Sequence, residues 1–192
     1  MTTVGVLSLQ GNVREHEAML GSLGARVVRV RRPEELDEID GLVIPGGESS
    51  TIDKLSRSFG VREPLVEKIR DGLPVFGTCA GLILLADRIV DGIEGQRSFG
   101  GLDVTVRRNA FGRQSESFET DLAVPELGDP PVRAAFIRAP VIEELGSAAR
   151  ALATLPGGQV VAAEQGRLLG VSFRPEQTGE TRFHERFLAL TA

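Results

Sequence analysis

Pro74-Val75-Phe76-Gly77-Thr78-Cys79-Ala80-Gly81-Leu82 is the stretch on which the reading of the fold depends. An apolar, strand-like run ends at Thr78, Cys79 follows, and the small pair Ala80-Gly81 opens a helical run from Leu82 to Ala86. This has the shape of a nucleophile elbow, small-x-nucleophile-x-small, on a sharp strand-to-helix turn. The crowded turn admits only small neighbours, here Gly77 and Gly81. The side chain of residue 79 then stands above the carboxyl ends of the strands, where open α/β sheets bind ligands. A helix amino terminus beside the sulfur is expected to lower the thiol pKa. An inert buried thiol is the competing reading, and the flanking glycines with the strand-to-helix context favour the nucleophile.

Strand and helix patterns alternate through the first half. Val4 to Leu9 reads as a buried strand, Val13 to Leu23 as a helix, and Ala25 to Val30 as a second strand. A short acidic connection, Pro33 to Asp40, precedes a third strand at Gly41 to Ile44. That strand stops at Pro45-Gly46-Gly47, with Ser49, Ser50 and Thr51 as candidate caps of the next helix. Another helix, Glu63 to Asp71, leads to the strand before Cys79. This rhythm predicts a parallel sheet covered on both faces.

The second half reads differently. Leu102 to Val106, Val132 to Ile137 and Val160 to Ala163 look like antiparallel or edge strands added to the parallel core. Leu168 to Phe173 is a last buried strand, and Thr181 to Leu190 a closing amphipathic helix. The expected fold class is three-layer α/β, a mostly parallel sheet flanked by helices. No repeat or linker divides the chain, so residues 1–192 are expected to form one domain.

Gly46-Gly47 lies on the strand expected beside that of Cys79. Consecutive glycines can turn backbone N–H groups inward as donors to a developing oxyanion, although a tight turn before a helix would use Gly-Gly equally well.

Composition narrows the function classes. The formal charge of −5, with 22 basic against 27 acidic residues, disfavours a nucleic-acid partner. The densest basic run, Arg29, Arg31 and Arg32, is followed by acidic residues and reads as a solvated loop. One cysteine excludes an internal disulfide and a multi-cysteine metal cage. Neither a signal peptide nor an apolar run near the ~20 residues of a membrane span is recognisable. A cytoplasmic protein without metal, cofactor or membrane partner is expected.

Five blocks, in order, carry a resemblance. They are Leu9-Gln10-Gly11 with Glu15-His16; Pro45-Gly46-Gly47-Glu48-Ser49; Gly77-Thr78-Cys79-Ala80-Gly81; Arg108-Asn109-Ala110-Phe111-Gly112-Arg113-Gln114; and Phe136-Ile137-Arg138-Ala139-Pro140. Together they resemble the glutaminase subunits of pyridoxal phosphate synthase, which are class I (triad-type) glutamine amidotransferases with a flavodoxin-like fold. The resemblance implies a Cys-His-Glu glutaminase that passes ammonia to a separate synthase subunit. It implies Cys79 as nucleophile and Glu176 as the residue orienting the histidine. It further implies glutamine binding by Gly47, Glu48, Ser49, Arg108, Ile137 and Arg138, and an oxyanion hole from Gly46, Gly47 and the Ala80 amide. Free glutamine carries an α-carboxylate that suits an arginine fork and an α-ammonium that suits a carboxylate or carbonyl.

One position departs. The family's last motif reads His-Pro-Glu-Leu-Thr, and here it reads Arg174-Pro175-Glu176-Gln177-Thr178. Arginine has no acceptor nitrogen and keeps its proton, so it cannot act as the triad base. His16 already has a place in the family pattern, and His184, on the terminal helix, is expected at the surface. Weak or undetectable turnover is therefore expected, with a non-catalytic glutamine- or synthase-binding subunit as the alternative.

Overall fold

The computed structural model describes residues 1–111 and 117–192. Gly112, Arg113 and Gln114 of the fourth motif block lie outside the described residues. The amino-terminal half alternates as read: β1 (Thr3–Leu7), α1 (Val13–Ser22), β2 (Arg26–Val30), a 3-10 turn (Pro33–Glu38), β3 (Gly41–Ile44), α2 (Ser49–Ser58), α3 (Arg62–Arg70), β4 (Val75–Thr78) and α4 (Ala80–Leu85). Then come β5 (Ala86–Val90), β6 (Leu102–Arg107), β7 (Phe118–Leu122), β8 (Val132–Phe136), β9 (Val141–Leu145), β10 (Arg150–Thr154), β11 (Val160–Gln165) and β12 (Leu168–Val171). The chain closes with α5 (Pro175–Thr178) and α6 (Arg182–Leu190).

The main sheet runs β2-β1-β3-β4-β12-β11-β9-β6-β5, with β10 paired to β11. Its first five strands are parallel throughout, the flavodoxin-like arrangement. From β12 onward the β11, β9 and β6 pairings are antiparallel. β7 and β8 form a separate antiparallel ribbon.

Strand alternation divides the core into two layers. Leu42 and Ile44 of β3 join Ile52, Leu65 and Leu82 on one face, covered by α2, α3 and α4. Val43, between them, joins Leu20, Phe76, Phe183 and Phe187 on the other, under α1 and α6.

Three local expectations are corrected. The helix after Cys79 ends at Leu85, and Ala86 is already extended and begins β5. No strand was expected at 86–90, where β5 forms the sheet edge and runs parallel to β6. The cap of α2 is Glu48, whose carboxylate accepts from the Ser50 N–H, rather than Ser49, Ser50 or Thr51. The longer side chain reaches the same orphan donor from one residue earlier.

Candidate active site

Three strand ends assemble the site. β3 and β4 pair in parallel with Ile44 opposite Gly77, and β12 pairs with β4 with Val171 opposite Thr78. The turns leaving these strands, at 45–48, 79 and 172–174, therefore emerge together at the carboxyl edge.

Cys79 has φ 52° and ψ −104°, a strained conformation for a residue with a Cβ. Its N–H donates to the Val171 carbonyl at 2.8 Å, which anchors the turn to β12. A Cβ on Gly77 would lie 2.5 Å from the Gly81 carbonyl oxygen, and one on Gly81 would collide with that of Ile44. The small-x-nucleophile-x-small pattern is thus a packing requirement of this turn.

Cys79 is 4% exposed and lines a small cleft of about 70 Å³. Gly47, Glu48, Ser49, Ala80, Arg108 and Arg138 line it, together with Ile83, Asn109, Ile137 and Arg174. Every residue expected in glutamine recognition is brought to this one cleft. Gly46 lies just behind, where a Cβ would sit 3.4 Å from that of Cys79. The Gly46 carbonyl accepts from the Asn12 N–H at 2.9 Å, so the trans peptide sends the Gly47 N–H the opposite way. The Glu48 N–H donates to Gln10 Oε1 at 2.8 Å, and the whole glycine turn is braced by residues 10–12.

The electrostatics correct one expectation. Burial pushes the Cys79 thiol up from its ordinary value. The Arg174 charge and the Ala80 backbone N–H pull it back without overcoming desolvation, to which the Glu176 charge adds. Arg174 Nη2 stands 3.7 Å from Sγ.

Glu176, the second residue of α5, is buried. Its Oε1 accepts from Asn12 Nδ2 at 3.3 Å, while Oε2 has no hydrogen-bond partner. Burial raises its carboxyl to about 7 against weaker pulls from Asn12 and Arg174. Arg174 Nε is likewise buried and unpartnered.

His184 is not at the surface. It is fully buried, with Nε2 2.9 Å from His16 Nδ1, while His16 Nε2 is 3.1 Å from Thr78 Oγ1 and 3.7 Å from Glu176 Oε2. The sequence places His184 on the apolar side of α6 beside Phe183 and Phe187, a signal that could have predicted its burial. Gln10 and His16 stood in the first motif block without an assigned role, and Asn12, which was not singled out, reaches the site through Glu176.

The chain matches the SNO glutamine amidotransferase family over residues 6–191. A pyridoxal 5'-phosphate synthase subunit PdxT from Leifsonia xyli subsp. xyli is 64% identical over 185 residues, covering 96% of this chain and 93% of the relative. This chain belongs to the SNO glutamine amidotransferase family.

Another PdxT subunit, from Herpetosiphon aurantiacus, is 54% identical and is covered along 100% of its length by 98% of this chain. A solved glutamine amidotransferase superposes with a TM-score of 0.91 at 47% identity, covering 98% of both chains. A chain of PurLQS from Thermotoga maritima shares the fold at 13% identity, with a TM-score of 0.68 over 100% of both chains. The cleft gathers Cys79 with Gly47, Glu48, Ser49, Arg108, Ile137 and Arg138, and Glu176 is buried behind it. Its departure is Arg174.

Proposed function

We propose that this chain is the glutaminase subunit of a pyridoxal phosphate synthase, a single catalytic domain acting in the cytoplasm with a separate synthase subunit. The observation that carries the reading is the convergence of Cys79 with Gly47, Glu48, Ser49, Arg108, Ile137 and Arg138 on one cleft.

In this reading the Cys79 thiolate attacks the side-chain amide carbon of L-glutamine. The carbon–nitrogen bond breaks, ammonia leaves with an added proton, and water hydrolyses the glutamyl thioester to glutamate. Gly46, Gly47 and the Ala80 N–H face the developing oxyanion. Arg108 and Arg138 receive the α-carboxylate, and Glu48 or the Ile137 carbonyl the α-ammonium.

The proton steps are where this chain is deficient. Arg174 offers the thiol no acceptor, and its fixed charge favours thiolate without relaying a proton. Arg174 Nε and Glu176 Oε2 are left orphaned where the family's histidine and glutamate meet. These orphans also favour the second reading, a subunit that binds glutamine and synthase but turns over little.

A chloroketone analogue of glutamine separates recognition from proton relay, because alkylation of Cys79 needs no leaving-group protonation. We expect stoichiometric labelling of Cys79, blocked by L-glutamine. Labelling that glutamine does not slow would contradict the proposed substrate.

A further inference from the structure

Outside the cleft, one feature has no role in the chemistry above: the connection between β5 and β6, whose residues 95–98 are tied down at almost every position. Asp53 of α2 is 1% exposed and accepts from the Arg97 N–H at 2.9 Å. It also pairs with Arg57 and Arg62. These two arginines pass the grip to the connection, Arg57 Nη2 donating to the Gly95 carbonyl at 2.8 Å and Arg62 Nη2 to the Ser98 carbonyl at 2.6 Å. Gln96 is thus held between fastened neighbours.

Its side chain reaches two residues of the cleft. Gln96 Nε2 donates to Ser49 Oγ at 2.9 Å, and Gln96 Oε1 accepts from Arg108 Nη1 at 3.0 Å. The amide orientation follows from chemistry, since a guanidinium has only donors and must face the oxygen. Arg108 Nη2 donates to Glu48 Oε1 at 2.8 Å, so Gln96 and Glu48 hold the fork by both terminal nitrogens. The Arg108 side chain is only 9% exposed.

Resting on the glutaminase reading, we propose that Gln96 is a positioning residue for substrate recognition, fixing the Arg108 guanidinium to receive the α-carboxylate of glutamine. Gln96 does not line the cleft and touches no reacting atom. Its effect is preorganisation: without it, the long Arg108 side chain must be ordered at the moment of binding, and the affinity that depends on the α-carboxylate falls. The rest of the ligand is read elsewhere, by Cys79, the glycine turn and Ile137.

This predicts a selective defect. L-glutamine and 4-aminobutanamide, which lacks the α-carboxylate, are titrated by calorimetry into the full chain with its synthase subunit, all in a Cys79→Ala background that prevents turnover. Gln96→Leu is expected to weaken L-glutamine about tenfold, the scale of one hydrogen bond to a charged group. It should leave 4-aminobutanamide within about twofold, as should the exposed-residue control Glu94→Gln for both ligands. Unchanged glutamine affinity in Gln96→Leu would overturn the proposal, and so would equal weakening of both ligands, which marks a general structural role. Failure of the parent to bind L-glutamine at all would overturn the glutaminase reading itself, a result distinguishable from the other two.

Discussion

Arg174 Nη2 stands 3.7 Å from Cys79 Sγ, while Nε of the same guanidinium is buried without a partner. The charge that offsets burial of the sulfur therefore comes from a side chain that can neither take nor return its proton. Arg174→Met removes the charge and keeps much of the volume. The pH midpoint for alkylation of Cys79 by iodoacetamide is expected to move upward in this variant, because desolvation is then opposed only by the Ala80 N–H. An unchanged midpoint would show that Arg174 does not influence the sulfur.

The elbow makes a second prediction. A methyl group at residue 81 has nowhere to go against the Ile44 carbonyl, part of a buried strand that cannot retreat. Gly81→Ala should cost about 3 kcal/mol or more, above the usual range for overpacking since the obstacle is backbone. The melting temperature by circular dichroism reads this directly, and a loss of under about 1 kcal/mol would contradict the packing argument.

Buried titratable groups give a third. Burial holds the His184 imidazole down at about 4, from an ordinary 6.5, and lifts the Glu176 carboxyl to about 7, from 4.5. The lowered histidine contributes stability that is present above pH 6.5 and lost as pH falls toward 4. The raised carboxyl contributes stability that is present below pH 4.5 and lost as pH rises toward 7. Between about pH 4.5 and 6.5 the two slopes oppose each other. Glu176→Gln removes the second and keeps an oxygen for Asn12. Its urea midpoint, relative to the parent, should therefore rise with pH across this window. Parallel curves for the two proteins would contradict the assignment.

Much of this architecture was legible before the structure. The five-strand parallel core was readable because its strands are short apolar runs bounded by turn residues, and β1, β2, β3, β4 and β12 all overlap the runs read from the sequence. β5 (Ala86–Val90) was not read from the sequence, and neither were β7, β9 and β10. Their runs, Phe118–Leu122, Val141–Leu145 and Arg150–Thr154, mix exposed and buried positions, and their pairing is decided by distant partners rather than by local pattern. In the site, motif strings pointed to Cys79, Glu48 and Arg108. They were silent on Gln96, which meets Ser49 and Arg108 only through the fold, and His184, expected at the surface, is buried against His16 with its Nδ1 unpartnered. Thiol ionisation was misjudged for a related reason: helix and arginine are visible in sequence, and the depth of burial is not.

Under the proposed function, Cys79 and the substrate-facing residues are in place, while Arg174 cannot relay a proton. Ammonia release from L-glutamine, measured for the parent and for Arg174→His with the synthase subunit present, tests it most directly. Little or no release is expected from the parent, and a gain of roughly 10⁴-fold in Arg174→His, the scale of a lost triad member. Equal, rapid release by both proteins would contradict it.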